Sequence, residues 1–229
     1  MYKKLKIKNK NVKIYYENSS NTAEISAIIY NSYTSNTEEL WEELIKQNCK
    51  NFILIAISNI NWEEEMTPYY MEKLFKGEND YTGKADEYLK DLTNEIIPKI
   101  KEELEQLNIR PKGWSIAGYS LSGLFAIYSM YKTDIFSKYV SCSGSFWYKD
   151  FDKFVFENKP IIKPEQIYLS LGDKEKISRN QVLSTVENKT LNIYDFYKNN
   201  GINITFEMNE GNHFKDENLR VAKGIKAIL

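Results

Sequence analysis

Apolar and polar residues recur at two different periods along this chain. At the start, Leu5 and Ile7, then Val12, Ile14 and Tyr16, alternate with polar neighbours, the period of half-buried strands. Two nearly continuous apolar runs follow, over 25–30 and 52–57, as expected of strands buried on both faces. Between them Leu40, Trp41, Leu44 and Ile45 recur at helical spacing after Thr37, a residue type that caps helix N-termini. A longer helix is predicted over 85–107, with Tyr88, Leu89, Leu92, Ile96, Ile97 and Ile100 on one side and a kink at Pro98. The apolar run Trp114-Ser115-Ile116-Ala117 leads as a strand into Ser120 and a helix over 121–131. Strands near 139–142 and 167–171, a helix over 179–199, a strand over 202–208 and a helix from Asp216 complete the pattern. Residues 58–83 fit neither period. They form a long irregular segment rich in aromatic and acidic residues around Thr67-Pro68-Tyr69-Tyr70, and loops of that length are often functional.

Strands alternating with helices predict an α/β fold, a mostly parallel central sheet with helices on both faces. With no internal repeat and no Pro/Gly/Ser-rich linker, the expectation is a single domain over 1–229. Open parallel sheets gather functional loops at the carboxyl ends of their strands. Ser120, the loop 172–175 and His213 each follow a predicted strand, so the pattern places them at one edge.

Composition narrows the partners. The chain has 229 residues, enough for a real core without staples. Its net charge is −1, so no basic field speaks for nucleic acid or an anionic membrane. The run Lys3-Lys4-Leu5-Lys6 reads as a solvated edge strand. Cys49 and Cys142 adjoin apolar segments and read as buried thiols. One histidine and no Cys-x-x-Cys leave no zinc-ligand pattern. The N-terminus lacks the apolar stretch of a signal peptide, and no apolar run approaches the ~18 residues of a membrane span. The expected compartment is the cytoplasm.

The chemistry concentrates in Gly118-Tyr119-Ser120-Leu121-Ser122-Gly123. A strand that runs into Gly-x-Ser and directly into a helix has the layout of a nucleophile elbow; the plainer alternative is a serine capping a helix at a strand end. A serine hydroxyl needs a base to take its proton, and imidazole suits that task. His213 is the only histidine in the chain, so serine chemistry here allows one imidazole base. It lies between the last strand and the last helix in Gly211-Asn212-His213-Phe214. Gly172-Asp173-Lys174-Glu175-Lys176 offers two carboxylates, Asp173 and Glu175, either of which could orient the imidazole. Oxyanion donors are expected from the Leu121 N–H and from the loop after the 25–30 strand, at Asn31 or Ser32.

Five stretches together resemble the putative-esterase family of α/β-hydrolases, which includes esterase D-like enzymes and ferric-enterobactin esterases. They are Asn61-Trp62 with Thr67-Pro68, the segment Gly118 to Ala126, Ser143-Gly144-Ser145-Phe146-Trp147, the segment Leu169 to Glu175, and Gly211-Asn212-His213-Phe214. The resemblance covers about residue 25 to the end, in intact order. It implies an α/β-hydrolase fold with Ser120 as nucleophile, His213 as base and Glu175 as the acid. Ser122 stands where glycine is usual, and Asn31-Ser32 where many members carry Asp-Gly. The expected activity is hydrolysis of a small carboxylic ester through an acyl-enzyme, with no metal or organic cofactor. Tyr119, Trp62 and Trp147 are the expected substrate-facing residues. A siderophore-type trilactone as substrate is the alternative within the enzyme class. A non-catalytic binding protein on the same fold is the alternative outside it.

Overall fold

The alternating N-terminal residues form a hairpin, β1 (Tyr2–Ile7) with β2 (Lys10–Tyr15), in a computed structural model that describes residues 1–17 and 25–229. Both apolar runs become parallel neighbours, β3 (Ile25–Asn31) and β4 (Phe52–Ser58). They are followed by β5 (Pro111–Tyr119), β6 (Phe136–Cys142), β7 (Gln166–Gly172) and β8 (Ile204–Asn209). The eight strands make one sheet in the order β1-β2-β4-β3-β5-β6-β7-β8. β2 runs antiparallel to β4, and the pairings from β4 through β8 are parallel. The mostly parallel sheet predicted from the pattern is the one found.

Period-2 geometry sends alternate residues of the central strands to opposite faces. Ile28 and Tyr30 pack with Leu40 and Leu44 of α1 (Glu38–Lys46) and with Val221 and Ile225 of α8 (Glu217–Ile228). Ala27 and Ile29 join the larger core on the other face. That core lies under α3 (Ala85–Asp91), α4 (Ile97–Gln106), α5 (Leu121–Ser129), α6 (Phe151–Glu157) and α7 (Val186–Asn199).

Several local predictions are corrected. The helix over 85–107 is α3 and α4 joined by a π-helical turn, Leu92–Ile96. Pro98 is the second residue of α4; with no N–H to give an i−4 carbonyl, it is accommodated beside the widened turn. The helix over 179–199 starts only at Val186, after a 3-10 turn, Leu183–Thr185. Asn180 caps that opening turn: its Oδ1 accepts from the N–H groups of Val182 at 2.9 Å and Leu183 at 3.3 Å, in the manner of an N-cap side chain. Thr37 precedes α1 but does not cap it, because its hydroxyl is shared with Tyr15 at 2.8 Å. The irregular 58–83 segment holds a short helix, α2 (Trp62–Glu65), and a two-residue bridge between Met71 and Tyr81. Among the described residues no helix is long and apolar enough to cross a membrane.

Candidate active site

Ser120 sits at the hinge between β5 and α5 with φ 58° and ψ −124°, a conformation that non-glycine residues avoid and that strained functional turns retain. The turn closes only because Gly118 lacks a side chain: a Cβ there would stand 2.1 Å from the Ser122 carbonyl oxygen. The serine at 122 is tolerated because its hydroxyl serves the turn. Its Oγ accepts from the Tyr119 N–H at 2.8 Å and donates to the Tyr119 carbonyl at 2.9 Å. Gly123 faces Ser141 and Gly144, where a Cβ would lie within 2.8 Å of the Ser141 hydroxyl. The loop after β6 braces the elbow from beside it. Ser145 N–H donates to the Ser120 carbonyl at 3.1 Å, and the two hydroxyls stand 3.4 Å apart.

The loops after β7 and β8 are tied to each other. Gly211, at φ 106°, makes the turn that carries His213. Its N–H donates to Asp173 Oδ1 at 2.7 Å, and its carbonyl accepts from the Lys174 N–H at 3.1 Å. The result is one continuous line of contacts. Ser120 Oγ is 3.1 Å from His213 Nε2, and His213 Nδ1 is 2.7 Å from Glu175 Oε2. An ionised carboxylate only accepts, so Nδ1 carries the proton and Nε2 faces the serine as an acceptor. Glu175 Oε1 accepts three further bonds, from Gly172 N–H at 2.7 Å, Ser143 Oγ at 2.7 Å and an Nη of Arg220 at 3.0 Å. Burial pushes the Glu175 carboxyl up, but the bonds and charge of His213, with Ser143 and the Gly172 N–H, outweigh it and hold the group below its usual value.

Of the two carboxylates left open by the sequence, the structure brings Glu175 to the histidine. Asp173 is exposed and pins Gly211 instead. Leu121 opens α5, so its N–H belongs to the first turn, whose donors have no intrahelical acceptor. Ser32 is corrected as an oxyanion donor: its N–H is spent on the Ile57 carbonyl at 2.8 Å, extending the β3 and β4 ladder. Asn31 is buried, its Oδ1 accepts from Tyr88 at 2.6 Å, and its Nδ2 has no partner among the described residues. Tyr119 is corrected as a substrate contact. It is buried, and its hydroxyl donates to the His213 carbonyl at 2.7 Å, because the elbow turns this side chain beneath the histidine loop. Trp62 packs edge-on against Tyr33 at 5.2 Å.

Trp147 lies in the loop after β6. It lines a cavity of about 340 Å³ together with Ser120, His213, Ile177, Leu183 and Phe214. On its far side it lines a second cavity of about 720 Å³ with Tyr70, Leu74, Lys149 and Lys189. Cys49 and Cys142 are buried free thiols, and burial pushes Cys142 up to about 12. Among the described residues no group of three or more His, Cys, Asp or Glu side chains is placed to hold a metal ion.

Sequence reasoning missed Arg220, Ser143 and the bracing role of Ser145. The signal for Arg220 was present. It occupies the stripe of α8 shared by Val221, Gly224, Ile225 and Ile228, where an apolar residue is expected.

The sheet order, the antiparallel edge and the strained serine at the end of β5 define an α/β-hydrolase-like fold. The family model described as Putative esterase matches residues 27–213, a span that contains Ser120, Glu175 and His213, and the chain belongs to that family. It is 28% identical over 172 residues to the uncharacterized protein YbbA of Bacillus subtilis strain 168, covering 74% of this chain and 68% of that one. A solved IroE-like serine hydrolase from Shewanella oneidensis matches with a TM-score of 0.83 at 16% identity, over 100% of this chain and 80% of that one. The siderophore hydrolase EstB from Aspergillus nidulans matches with a TM-score of 0.75 at 14% identity, over 100% of this chain and 94% of that one.

Proposed function

We propose that the protein is a serine esterase that hydrolyses small carboxylic esters through an acyl-enzyme. The observation that carries this reading is the line from Ser120 Oγ through His213 to Glu175, with contacts of 3.1 and 2.7 Å. Ser120 Oγ attacks the ester carbonyl while its proton passes to His213 Nε2. Glu175 holds the tautomer and stabilises the imidazolium that forms. The oxyanion is received by the Leu121 N–H and a second N–H donor from the chain leaving β3, at Asn31. His213 then gives its proton to the departing alcohol. Water adds to the acyl-serine as His213 takes its proton, and the acid leaves as Ser120 recovers its hydrogen. Trp147, Ile177, Leu183 and Phe214 supply an apolar wall for the acyl or alcohol part.

Treatment with a fluorophosphonate probe followed by peptide mass spectrometry tests the reading. Modification of Ser120, lost in His213→Gln, is the expected result. An unmodified wild-type protein that also leaves p-nitrophenyl butyrate intact would sink it and favour a binding protein.

A narrower reading, hydrolysis of a siderophore-type trilactone, draws on the second cavity of about 720 Å³ beyond Trp147, which offers room for a larger substrate. The fold likeness to the Aspergillus nidulans siderophore hydrolase points the same way. Turnover of a trilactone at a kcat/KM well above that of p-nitrophenyl butyrate is the expected sign.

A further inference from the structure

Arg220 is the largest of the fully buried side chains, 1% exposed, on the first turn of α8. The helix reaches the sheet closely at Gly224, where a Cβ would stand 2.5 Å from Val140. One turn earlier, Arg220 therefore lies directly beneath the carboxyl edge. One Nη is 3.0 Å from Glu175 Oε1, 3.1 Å from Ser143 Oγ and 3.3 Å from the Tyr119 hydroxyl. The other donates to the carbonyls of Glu210 at 3.0 Å and Asn212 at 3.1 Å. A single guanidinium thus touches the acid, the residue before the nucleophile and both sides of the turn that carries the histidine. Gly172 makes room for it: a Cβ there would meet Arg220 and Glu175 at 2.9 Å. The Nε is buried and without a partner among the described residues, so the fork is committed through its two Nη groups.

In general, a buried carboxylate hydrogen-bonded to an imidazole favours proton uptake by the ring relative to a ring without that partner. A guanidinium 3.0 Å from the other oxygen offsets part of that negative charge, and low-dielectric surroundings sharpen the effect. We propose, resting on the esterase reading, that Arg220 is a positioning residue for this site. It locks the Glu175 carboxylate to the His213 loop, and it tempers the basicity that a lone carboxylate would confer on His213. The planar fork suits this double contact, and a lysine would supply the charge without the fork.

The charged and titratable groups around the imidazole are few. Glu175 meets it from the loop after β7, and Tyr119 lies with its ring 5.4 Å away on β5. Arg220 and Glu217 approach from α8; Glu217 is bonded to the Tyr30 hydroxyl at 3.3 Å. Lys174 lines the same cavity.

The test uses the fact that the chain has one histidine, so its imidazole titrates as a single proton NMR signal. Wild type, Arg220→Met and Arg220→Lys are titrated and assayed on p-nitrophenyl butyrate. In Arg220→Met the midpoint moves to higher pH, and kcat falls at least tenfold while KM stays within twofold. In Arg220→Lys the midpoint returns to the wild-type position while kcat remains reduced. A purely structural arginine would move neither the midpoint nor the ratio of kcat to KM effects. A midpoint in Arg220→Met that matches wild type overturns the proposal, as does one in Arg220→Lys that moves as far as in the methionine variant. If Arg220→Met does not fold, Arg220→Lys decides alone: kcat within twofold of wild type overturns it. Absence of fluorophosphonate labelling in the wild type marks a failure of the esterase reading, and the NMR titration separates that from a failure of Arg220.

Discussion

Beneath α3 to α7 the sheet is covered by a broad apolar core that runs from Ile29 and Ile55 through Ile116 to Leu169, with Phe125, Leu92 and Ile193 from the helices. Its buried hydroxyls find partners locally: Tyr131 pairs with Tyr197 at 2.7 Å, and Tyr139 donates to the Phe136 carbonyl at 2.6 Å. Charge is sealed against both faces: on the large one Lys10, 2% exposed, is paired with Glu65 beside Tyr88, while beneath α1 and α8 the core is smaller and its charge gathers under the site. Arg220 is buried there, and Tyr30 reaches Glu217 at the start of α8. The loops that hold Glu175 and His213 rest on this second face through the arginine. The large face therefore supplies stability by burying apolar area, while the small face holds the geometry of the site. Polar networks in low dielectric are worth much when complete and cost much when broken. Substitutions on the two faces should separate along that line.

The largest effect sets the scale for activity. Ser120→Ala should lower p-nitrophenyl ester hydrolysis by several orders of magnitude with the circular dichroism spectrum unchanged. Activity within tenfold of wild type would remove Ser120 from the mechanism. Next comes the contrast between two carboxylates on one loop. Glu175→Gln should reduce kcat by roughly 10²–10⁴. Asp173→Asn, whose amide oxygen can still accept from the Gly211 N–H, should stay within about tenfold. A crippled Asp173→Asn beside an active Glu175→Gln would reverse the assignment.

The large face should show the opposite behaviour. Phe136 is fully buried in β6, at the end of its strand away from Ser120. Phe136→Ala should cost about 3–5 kcal/mol in denaturant unfolding, yet leave kcat of the folded protein within twofold. A large fall in kcat at full folding would erase the division between faces.

The smallest effects are in the pH dependence of stability. Glu175 is held below its unfolded value, so the stability it contributes is complete above that value. It is lost as pH falls through the lower folded one. The melting temperature of wild type relative to Glu175→Gln should therefore shrink between pH 7 and pH 3. Glu217 runs the other way. Burial raises it, and the Tyr30 bond and the histidine only partly oppose that. Its ionised form therefore costs stability at neutral pH, a cost that disappears as the group protonates. Glu217→Gln should melt slightly above wild type at pH 7 and level with it at pH 4. Differences of the same sign for both variants would break the account.

Much of this was legible in the residues themselves. Periodicities of 2 and 3.6 follow directly from backbone geometry, so the strands over 25–30, 52–57 and 167–171 and their parallel arrangement could be read from the pattern. Ser120 and His213 stood out because a strained turn needs Gly118 and because the chain offers one imidazole. The choice between Glu175 and Asp173 was not local. Both follow the same strand, and only the turn at Gly211 decides which one faces the histidine and which is consumed holding that turn. Tyr119 was expected to face substrate beside the nucleophile; tertiary packing instead buries it and spends its hydroxyl on the His213 carbonyl. Ser32 lost its N–H to the sheet ladder, a fact set by β-strand register. Arg220 shows the limit most clearly. Its place on the buried stripe of α8 was visible, but its partners come from the loops after β5, β6, β7 and β8. Local sequence settles which backbone conformations are favoured; which polar groups meet is settled by strand order and close helix packing, which bring distant segments within hydrogen-bond reach.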